Sequence, residues 1–192
     1  MKLTIKQDVS EILEIKKSKF IGYAFFCENV ETANNYLKQL RNEHKKATHV
    51  CFAYVINSNE KASDDGEPQG TAGLPILEII KKRKLTNVLI VVVRYFGGIK
   101  LGAGGLVRAY GESATLALNS AATTNLTEAT EFSLALNYGE ESVLNSLKNN
   151  GDIYNLKFEY SDKISITFLA DENLEVLKTL KVTKGETKLI RV

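Results

Sequence analysis

The chain has no tryptophan, one methionine, two prolines, two cysteines and two histidines in 192 residues. Its longest unbroken aliphatic run, Val88–Val93, is far too short to span a membrane. The polar first ten residues lack the apolar segment of a signal peptide, so we expect a cytoplasmic protein without membrane partners. Cys27 and Cys51 do not form a CxxC pair, and with so few cysteines and histidines a structural zinc site is not expected. We therefore predict two buried, reduced thiols and no metal or cofactor.

Charge is nearly balanced over the whole chain but differs between its two parts. The 25 basic and 23 acidic residues give a net charge of +2, which excludes a global polycation. Residues 1–127 carry 17 Lys and Arg against 12 Asp and Glu, whereas residues 128–192 carry 8 against 11. The mildly basic first part permits a nucleic-acid or ribosome partner without requiring one.

Apolar periodicity predicts an α+β first domain over residues 1–126. The predicted elements are strands within residues 11–27, a helix over 30–46, a strand over 48–56, a polar loop over 57–70, a helix over 75–84, a strand over 87–96 and a helix over 106–121. In the strand over 48–56, Val50, Phe52, Tyr54 and Ile56 should face one side, and His49, Cys51, Ala53 and Val55 the other. The strand over 87–96 is apolar on both faces, which predicts a central position in the sheet.

Residues 127–192 show the order β-α-β-β-α-β, which is the pattern of a ferredoxin-like domain. The two alternating runs in its middle predict a hairpin with the three-residue loop 161–163. This loop pairs Tyr160 with Ile164 and Phe158 with Ile166. A register shifted by one residue would place polar residues opposite the apolar face.

A glycine-rich segment joins the predicted central strand to the following helix. It contains five glycines in nine residues, with Lys100 inside it and Arg94 and Arg108 on either side. Backbone amides at the start of a helix can bind an anion, such as a phosphate or a nucleic-acid backbone. The spacing is neither that of a P-loop nor that of a dinucleotide fingerprint. The alternative is that the glycines only form a tight turn against a neighbouring strand.

Three carboxylates within four residues, Asp64, Asp65 and Glu67, lie in the predicted polar loop. They could supply a general base or bind a hard cation, although acidic residues are also common in turns for structural reasons. His49 could act as a general base or contact a phosphate, or it could be a hydrogen-bonded structural residue. These four residues are the candidate catalytic residues. If they act on a phosphorylated substrate, the carboxylates must lie near the glycine-rich segment.

Three collinear segments together resemble the YigZ/IMPACT family: THVCFAYVI, SDDGEPQGTAGLPIL and NVLIVVVRYFGGIKLGAGGLVRAY. The resemblance covers residues 15–122, and the rest is similar to the small C-terminal domain of bacterial members. It implies a first domain with the α+β fold of the second domain of ribosomal protein S-five and a ferredoxin-like second domain over 127–192. The same two folds follow each other in the translocating elongation factor. The motif residues that carry over around the glycine-rich segment are Arg94, Tyr95, Gly97, Gly98, Lys100, Gly102, Gly104, Gly105 and Arg108.

Eukaryotic members of this family are linked to translational control, in which they restrain an initiation-factor kinase by competing for its activator. The resemblance and the basic first domain therefore favour a binding module that regulates translation. Its predicted partner is RNA, the ribosome or a ribosome-associated protein. An enzyme acting on a phosphorylated small molecule and a protein–protein interaction domain are the alternatives. The sequence predicts no oligomeric state.

Overall fold

A computed structural model describes residues 2–192 and divides them into two compact units. The first unit ends at Leu126 and the second begins at Thr127. Among the described residues, no helix has the length and apolar character that crossing a membrane requires. Both units combine helices with antiparallel sheet, so the chain has the mixed α+β architecture expected from its periodicity.

The first unit holds most of its strands in one sheet. Its elements are β1 (Lys2–Ile5), β2 (Val9–Ile15), β3 (Ser18–Phe26), α1 (Val30–Glu43), β4 (His49–Ile56), β5 (Asn59–Ser63), α2 (Gly73–Lys82), β6 (Val88–Tyr95) and α3 (Gly102–Ala121). The sheet order is β2-β3-β6-β4-β5, and every neighbouring pair is antiparallel. The strand β6 therefore occupies the centre, as its apolar sequence predicts.

Alternation along β4 separates the two faces of this sheet as predicted. Val50, Phe52, Tyr54 and Ile56 pack with α1 residues in one buried cluster. Cys51 and Ala53 pack in a second cluster, which includes residues of α2 and α3. The same register places Arg94 of β6 opposite both Phe20 of β3 and His49 of β4. Paired residues in antiparallel strands project to the same side, so these three side chains share the face that α2 and α3 cover.

Two expectations for the first unit were wrong in their boundaries. The predicted polar loop over 57–70 begins with the strand β5, which pairs with β4 from Phe52 to Ile56. The helix α3 starts at Gly102 instead of residue 106, so half of the glycine-rich segment forms its first turn. The strand β5 was missed because its residues are polar and exposed, and such residues are rare in strands. The start of α3 was missed because glycine disfavours the helical state.

The second unit contains α4 (Glu141–Lys148), β8 (Ile153–Tyr160), β9 (Ile164–Ala170), a 3₁₀ helix (Glu175–Thr179) and β10 (Thr183–Arg191). The strand β7 (Thr123–Leu136) spans the boundary: residues 123–126 pair with β1 and residues 130–136 pair with β9. Within the second unit the strand order is β10, β7, β9, β8, and β1 joins the same sheet through the first residues of β7. The second helix of the predicted β-α-β-β-α-β order was wrong in type, because residues 175–179 form a 3₁₀ helix instead of an α-helix. The predicted hairpin register is confirmed, since Phe158 pairs with Ile166 and Tyr160 with Ile164.

Gly97 lies where the segment after β6 crosses the β2–β3 turn. A Cβ atom at this position would overlap the backbone carbonyl of Lys17. The amide of Gly97 also donates to the Ser18 hydroxyl at 3.2 Å. Close backbone approach therefore requires glycine here, which supports the structural interpretation of this one glycine.

Gly97→Ala should lower the free energy of unfolding by at least about 2 kcal/mol, because two backbone segments must separate to admit the methyl group. The matched control is Gly111→Ala in α3, where a Cβ would meet nothing within 4 Å. That control should be neutral or should stabilise by up to about 1 kcal/mol through helix propensity. Urea unfolding measures both variants, and equal effects would contradict the proposed close approach.

Candidate functional site

A pocket of about 430 Å³ opens in the first unit, where the ends of β4 and β6 meet the beginning of α3. The turn that follows β5 contributes Glu67 and Pro68, and the segment between β6 and α3 contributes Lys100 and Leu101. Its lining residues are Thr48, His49, Glu67, Pro68, Arg94, Phe96, Lys100, Leu101, Gly102, Ala103 and Leu106. We call the turn after β5 that contains Asp64, Asp65 and Glu67 the acidic turn. The fold thus brings one of its carboxylates, that of Glu67, and the cationic glycine-rich segment to the same pocket.

A buried ion pair lies at the pocket. Arg94 donates from Nη1 to Glu67 Oε1 at 2.5 Å, and the two side chains are 6% and 3% exposed. Tyr110 of α3 donates its hydroxyl proton to the same carboxylate oxygen at 2.7 Å. Two secondary-structure elements, β6 and α3, thereby converge on one carboxylate. Removing one partner would leave a buried charge uncompensated, so this network holds the turn in place.

Aromatic rings and Ser18 complete the surroundings of Arg94. The guanidinium carbon lies 5.4 Å from the ring centroids of both Phe20 and Phe96, within the range of cation–π attraction. Its Nη2 reaches the Ser18 hydroxyl at 3.5 Å. Its Nε is buried and has no hydrogen-bond partner among the described residues. Arg94 therefore retains one donor that the protein itself does not satisfy.

His49 presents one ring nitrogen to Glu67. Its Nδ1 lies 2.8 Å from the backbone carbonyl oxygen of Asp65. Because a carbonyl oxygen only accepts hydrogen bonds, Nδ1 carries the proton, and Nε2 of the neutral ring is an acceptor. This Nε2 lies 3.8 Å from Glu67 Oε2. The side chain of His49 is 18% exposed and that of Glu67 is 3% exposed, so His49 is the more accessible member of this acceptor pair.

Asp64 binds the start of α2 and does not line the pocket. Its carboxylate accepts from the backbone amides of Gly70, Ala72 and Gly73 at 2.8 to 3.0 Å. Burial alone would raise the pKa of Asp64, but these three donors outweigh burial and lower it below its ordinary value. The helix dipole favours a negative charge at this position as well. The sequence feature that suggested a catalytic carboxylate here is therefore a remote helix cap.

Asp65 is also bound within the protein. One carboxylate oxygen accepts from the Val50 amide at 2.7 Å, and the other from Arg41 at 3.2 Å. Asp65 adopts a positive φ of 43°, and the following Gly66 a φ of 87°. These contacts fix the turn against β4 and orient His49 through the carbonyl of Asp65. Of the three carboxylates, only Glu67 lines the pocket.

The glycine-rich segment contributes Lys100 and the first turn of α3. No side chain caps this helix at Leu101, and Gly102 begins it with a φ of 71°. Lys100, Gly102 and Gly104 are exposed. The backbone amides of an uncapped first turn carry a partial positive charge, to which Lys100 adds a full one. This arrangement suits an anionic group.

Other candidates lie outside the pocket lining. Tyr95 projects to the opposite sheet face, where its hydroxyl lies 2.8 Å from His44 Nδ1. Arg108 is exposed on α3, and Gly98 is exposed with a φ of 83°. Gly104 and Gly105 belong to the first turns of α3, and Gly97 serves the close backbone approach. Of the candidate anion-binding residues, Arg94, Lys100 and Gly102 line the pocket.

Tyr110 and Phe96 are site residues that sequence reasoning missed. Tyr110 is fully buried on the packed side of α3, so its sequence position indicates only a core residue. The exposed Phe96 directly follows β6 and gave no signal of its own. Cys51 lies beside this network, with Sγ 3.4 Å from the Tyr110 hydroxyl. Burial raises the pKa of this thiol to about 12, so Cys51 is not a thiolate nucleophile near neutral pH.

Comparison with known proteins identifies relatives over the whole chain. The model of the Impact N-terminal domain matches residues 16–118. The IMPACT family member YigZ of Escherichia coli is 38% identical over 96% of this chain and 94% of its own length. The IMPACT family member YvyE of Bacillus subtilis is 49% identical, but that match covers 60% of this chain and 55% of YvyE. A crystal structure of a hypothetical protein has a TM-score of 0.67, with 32% identity and 95% coverage of both chains.

Asp64→Asn should lower the free energy of unfolding near neutral pH, because the amide cannot match the carboxylate as an acceptor for three amides. The folded pKa lies below the unfolded value, so this stabilisation is present above about pH 4 and is lost as pH falls through the folded pKa. Urea unfolding from pH 7 to pH 2 should therefore show a smaller acid dependence for the variant. An unchanged acid dependence would contradict the capping role.

Glu67→Leu should lower the free energy of unfolding by about 3–5 kcal/mol, because it leaves Arg94 buried without an anionic partner. The double variant with Arg94→Met should recover part of this loss. The control is Glu60→Ala, which breaks an exposed pair with Lys81 and should cost no more than about 1 kcal/mol. If urea unfolding finds the same cost for Glu67→Leu and Glu60→Ala, the buried pair does not hold the turn.

Proposed function

The chain belongs to the IMPACT family, and we propose that it is a binding module that regulates translation by docking on RNA or the ribosome. The observation that carries this proposal is the pocket at the start of α3, where Lys100 and uncapped amides meet. A phosphate of an RNA backbone is an anion of the size and charge that such a helix start accepts. The family resemblance supplies the link to translation.

The charges around the pocket support binding of an anion. Glu67 compensates Arg94 directly at 2.5 Å, so the two together add little net charge. Lys100 and the helix dipole then leave the opening net positive. The first unit as a whole has the same sign, since residues 1–127 carry an excess of basic side chains. Such a field attracts nucleic acid and raises its association rate.

We also propose the finer fold assignments that the resemblance implies. The second unit has the order strand, helix, strand, strand, 3₁₀ helix, strand, with strand order β10, β7, β9, β8. This arrangement favours a ferredoxin-like domain in which a 3₁₀ helix takes the place of the second α-helix. The first unit would correspond to the second domain of ribosomal protein S-five. That pair of folds occurs in the translocating elongation factor, which acts on the ribosome. The analogy supports a ribosomal site of action.

A second candidate function is catalysis on a phosphorylated small molecule, and one observation favours it. Glu67 and His49 line the same pocket as Lys100, so a carboxylate and an imidazole acceptor lie near an anion-binding helix start. Such a pair can move a proton at a bound substrate. Asp64 and Asp65 take no part in this version because the protein's own donors occupy them.

Lys100→Ala should weaken RNA binding at low salt, because it removes one phosphate contact. The slope of log affinity against log salt should become shallower by about 1. The matched control is Lys84→Ala, which removes an exposed cation beyond the end of α2. Fluorescence titration with a single-stranded RNA at several salt concentrations measures both effects.

Co-sedimentation with ribosomes tests the site of action in the same variants. Ribosome binding that Lys100→Ala weakens and Lys84→Ala leaves intact supports the proposal. Absence of both RNA binding at low salt and ribosome co-sedimentation would overturn it. If a single protein from native lysate remains bound after nuclease treatment, the protein-interaction alternative replaces RNA docking.

A further inference from the structure

The walls of the pocket are more apolar than a phosphate alone requires. Phe96, Pro68, Leu101 and Leu106 line it together with the polar groups. Phe96 keeps 46% of its surface exposed, although the side chain is large and apolar. An inorganic phosphate gains nothing from such walls, whereas a ligand with a flat, partly apolar ring can pack against them.

The polar groups of the pocket form two sets, donors and acceptors, which come from different segments of the chain. Cationic and donor groups come from the segment that begins α3, namely Lys100 and the amides around Gly102. Acceptors come from β4 and the acidic turn, namely His49 Nε2 and Glu67 Oε2, which lie 3.8 Å apart. A ligand that satisfies both sets carries an anionic group and, separately, N–H donors.

Arg94 forms part of the pocket wall. Its side chain is 6% exposed, it lines the pocket, and its Nε has no partner among the described residues. Buried donors in folded proteins are rarely left without an acceptor. This nitrogen is occluded within the protein, so the Arg94 atoms that a ligand in the pocket can contact are those outside Nε.

We propose that this pocket binds one unpaired nucleotide. Its phosphate lies at the start of α3 beside Lys100, and its base packs against Phe96, with N–H groups directed to His49 Nε2 and Glu67 Oε2. This inference rests on the proposed function, since it names the part of RNA that the site recognises. A pocket of about 430 Å³ is large enough for a nucleotide-sized ligand.

An unpaired base fits this site, whereas a base in a duplex does not. Within a duplex the Watson–Crick edge is already hydrogen-bonded and both faces of the base are stacked. Single-stranded nucleic acids expose both, and proteins bind them by stacking on aromatic side chains above a cationic groove. The nucleotide can belong to an RNA strand or be free in solution, because both present the same phosphate and base.

The test compares ligands that differ by one chemical part. Isothermal titration should be carried out with the four ribonucleoside 5′-monophosphates, ribose 5-phosphate and inorganic phosphate. At least one mononucleotide should bind about tenfold or more tightly than ribose 5-phosphate, in keeping with the contribution of base stacking. Equal affinity for every mononucleotide and ribose 5-phosphate would overturn the proposal, because the base would then make no contact.

Variants of Phe96 test whether the base packs against this particular ring. Phe96→Ala should abolish the advantage of the nucleotide over ribose 5-phosphate, and Phe96→Tyr should retain it because the ring is preserved. The control is Tyr160→Ala, which removes an exposed aromatic ring in the second unit and should change nothing. If Phe96→Ala leaves the advantage intact in a folded protein, the base does not pack there and the proposal is wrong.

Two further ligands separate this inference from the proposed function. A short single-stranded RNA should bind more tightly than a duplex of the same length, and more tightly than a mononucleotide if the natural ligand is a strand. Ribosome binding that depends on Lys100, without a preference for mononucleotides or single strands, would leave the proposed function standing and refute the nucleotide pocket. Mononucleotide binding without RNA or ribosome binding would identify a free nucleotide as the ligand and refute the proposed function.

Discussion

The buried pair between Arg94 and Glu67 is the interaction on which the arrangement of this site depends. Desolvating both charges is costly, and the pair is tolerated because its geometry is close and further hydrogen bonds support it. Tyr110 supplies one of them to Glu67, and Ser18 contacts Arg94. The two partners are 27 positions apart in sequence. Their contact holds the acidic turn against the central strand. Because residues of both line the pocket, the pocket depends on this contact.

The three carboxylates of the acidic turn have different roles: two bind only within the protein, and one also lines the pocket. Asp64 binds the start of α2, Asp65 binds β4 and Arg41, and Glu67 binds β6 and α3 through Arg94 and Tyr110. A short turn is thereby fixed to five elements, α1, α2, α3, β4 and β6, by charged acceptors. Charge-assisted hydrogen bonds are among the stronger polar contacts, so the turn is held rigidly. Rigidity here keeps His49 Nε2 oriented, because its other nitrogen donates to the backbone of the same turn.

Much of the fold follows from apolar patterns in the sequence. The alternation along β4 predicts which residues lie on each of its faces, and the continuous apolar run predicts the central position of β6. The need to keep apolar side chains on one face predicts the register of the β8–β9 hairpin, in which Phe158 pairs with Ile166. Each of these depends on burial, which acts residue by residue along one strand. Elements without that signal were missed, among them β1, the polar edge strand β5 and the glycine-rich first turn of α3.

The composition of the site was partly predictable, but its geometry was not. Lys100, Arg94, His49 and Glu67 were all candidates from residue chemistry alone. The sharing of one pocket by the turn and the glycine-rich segment depends on pairing between β4 and β6, which sets His49 opposite Arg94. Such long-range register comes from the packing of the whole sheet. Tyr110 illustrates the same limit, because a buried tyrosine on a helix resembles any core residue until its hydrogen-bond partner is known.

Gly104 differs from Gly97 in what its surroundings require. It lies in the first turn of α3, where glycine is less favourable than alanine by about 1 kcal/mol. A Cβ there would meet nothing within 4 Å, so packing within the protein does not require glycine, in contrast to Gly97. Gly104 therefore lowers the helix propensity of the first turn without a packing reason among the described residues, whereas Gly97 is required by the approach of Lys17.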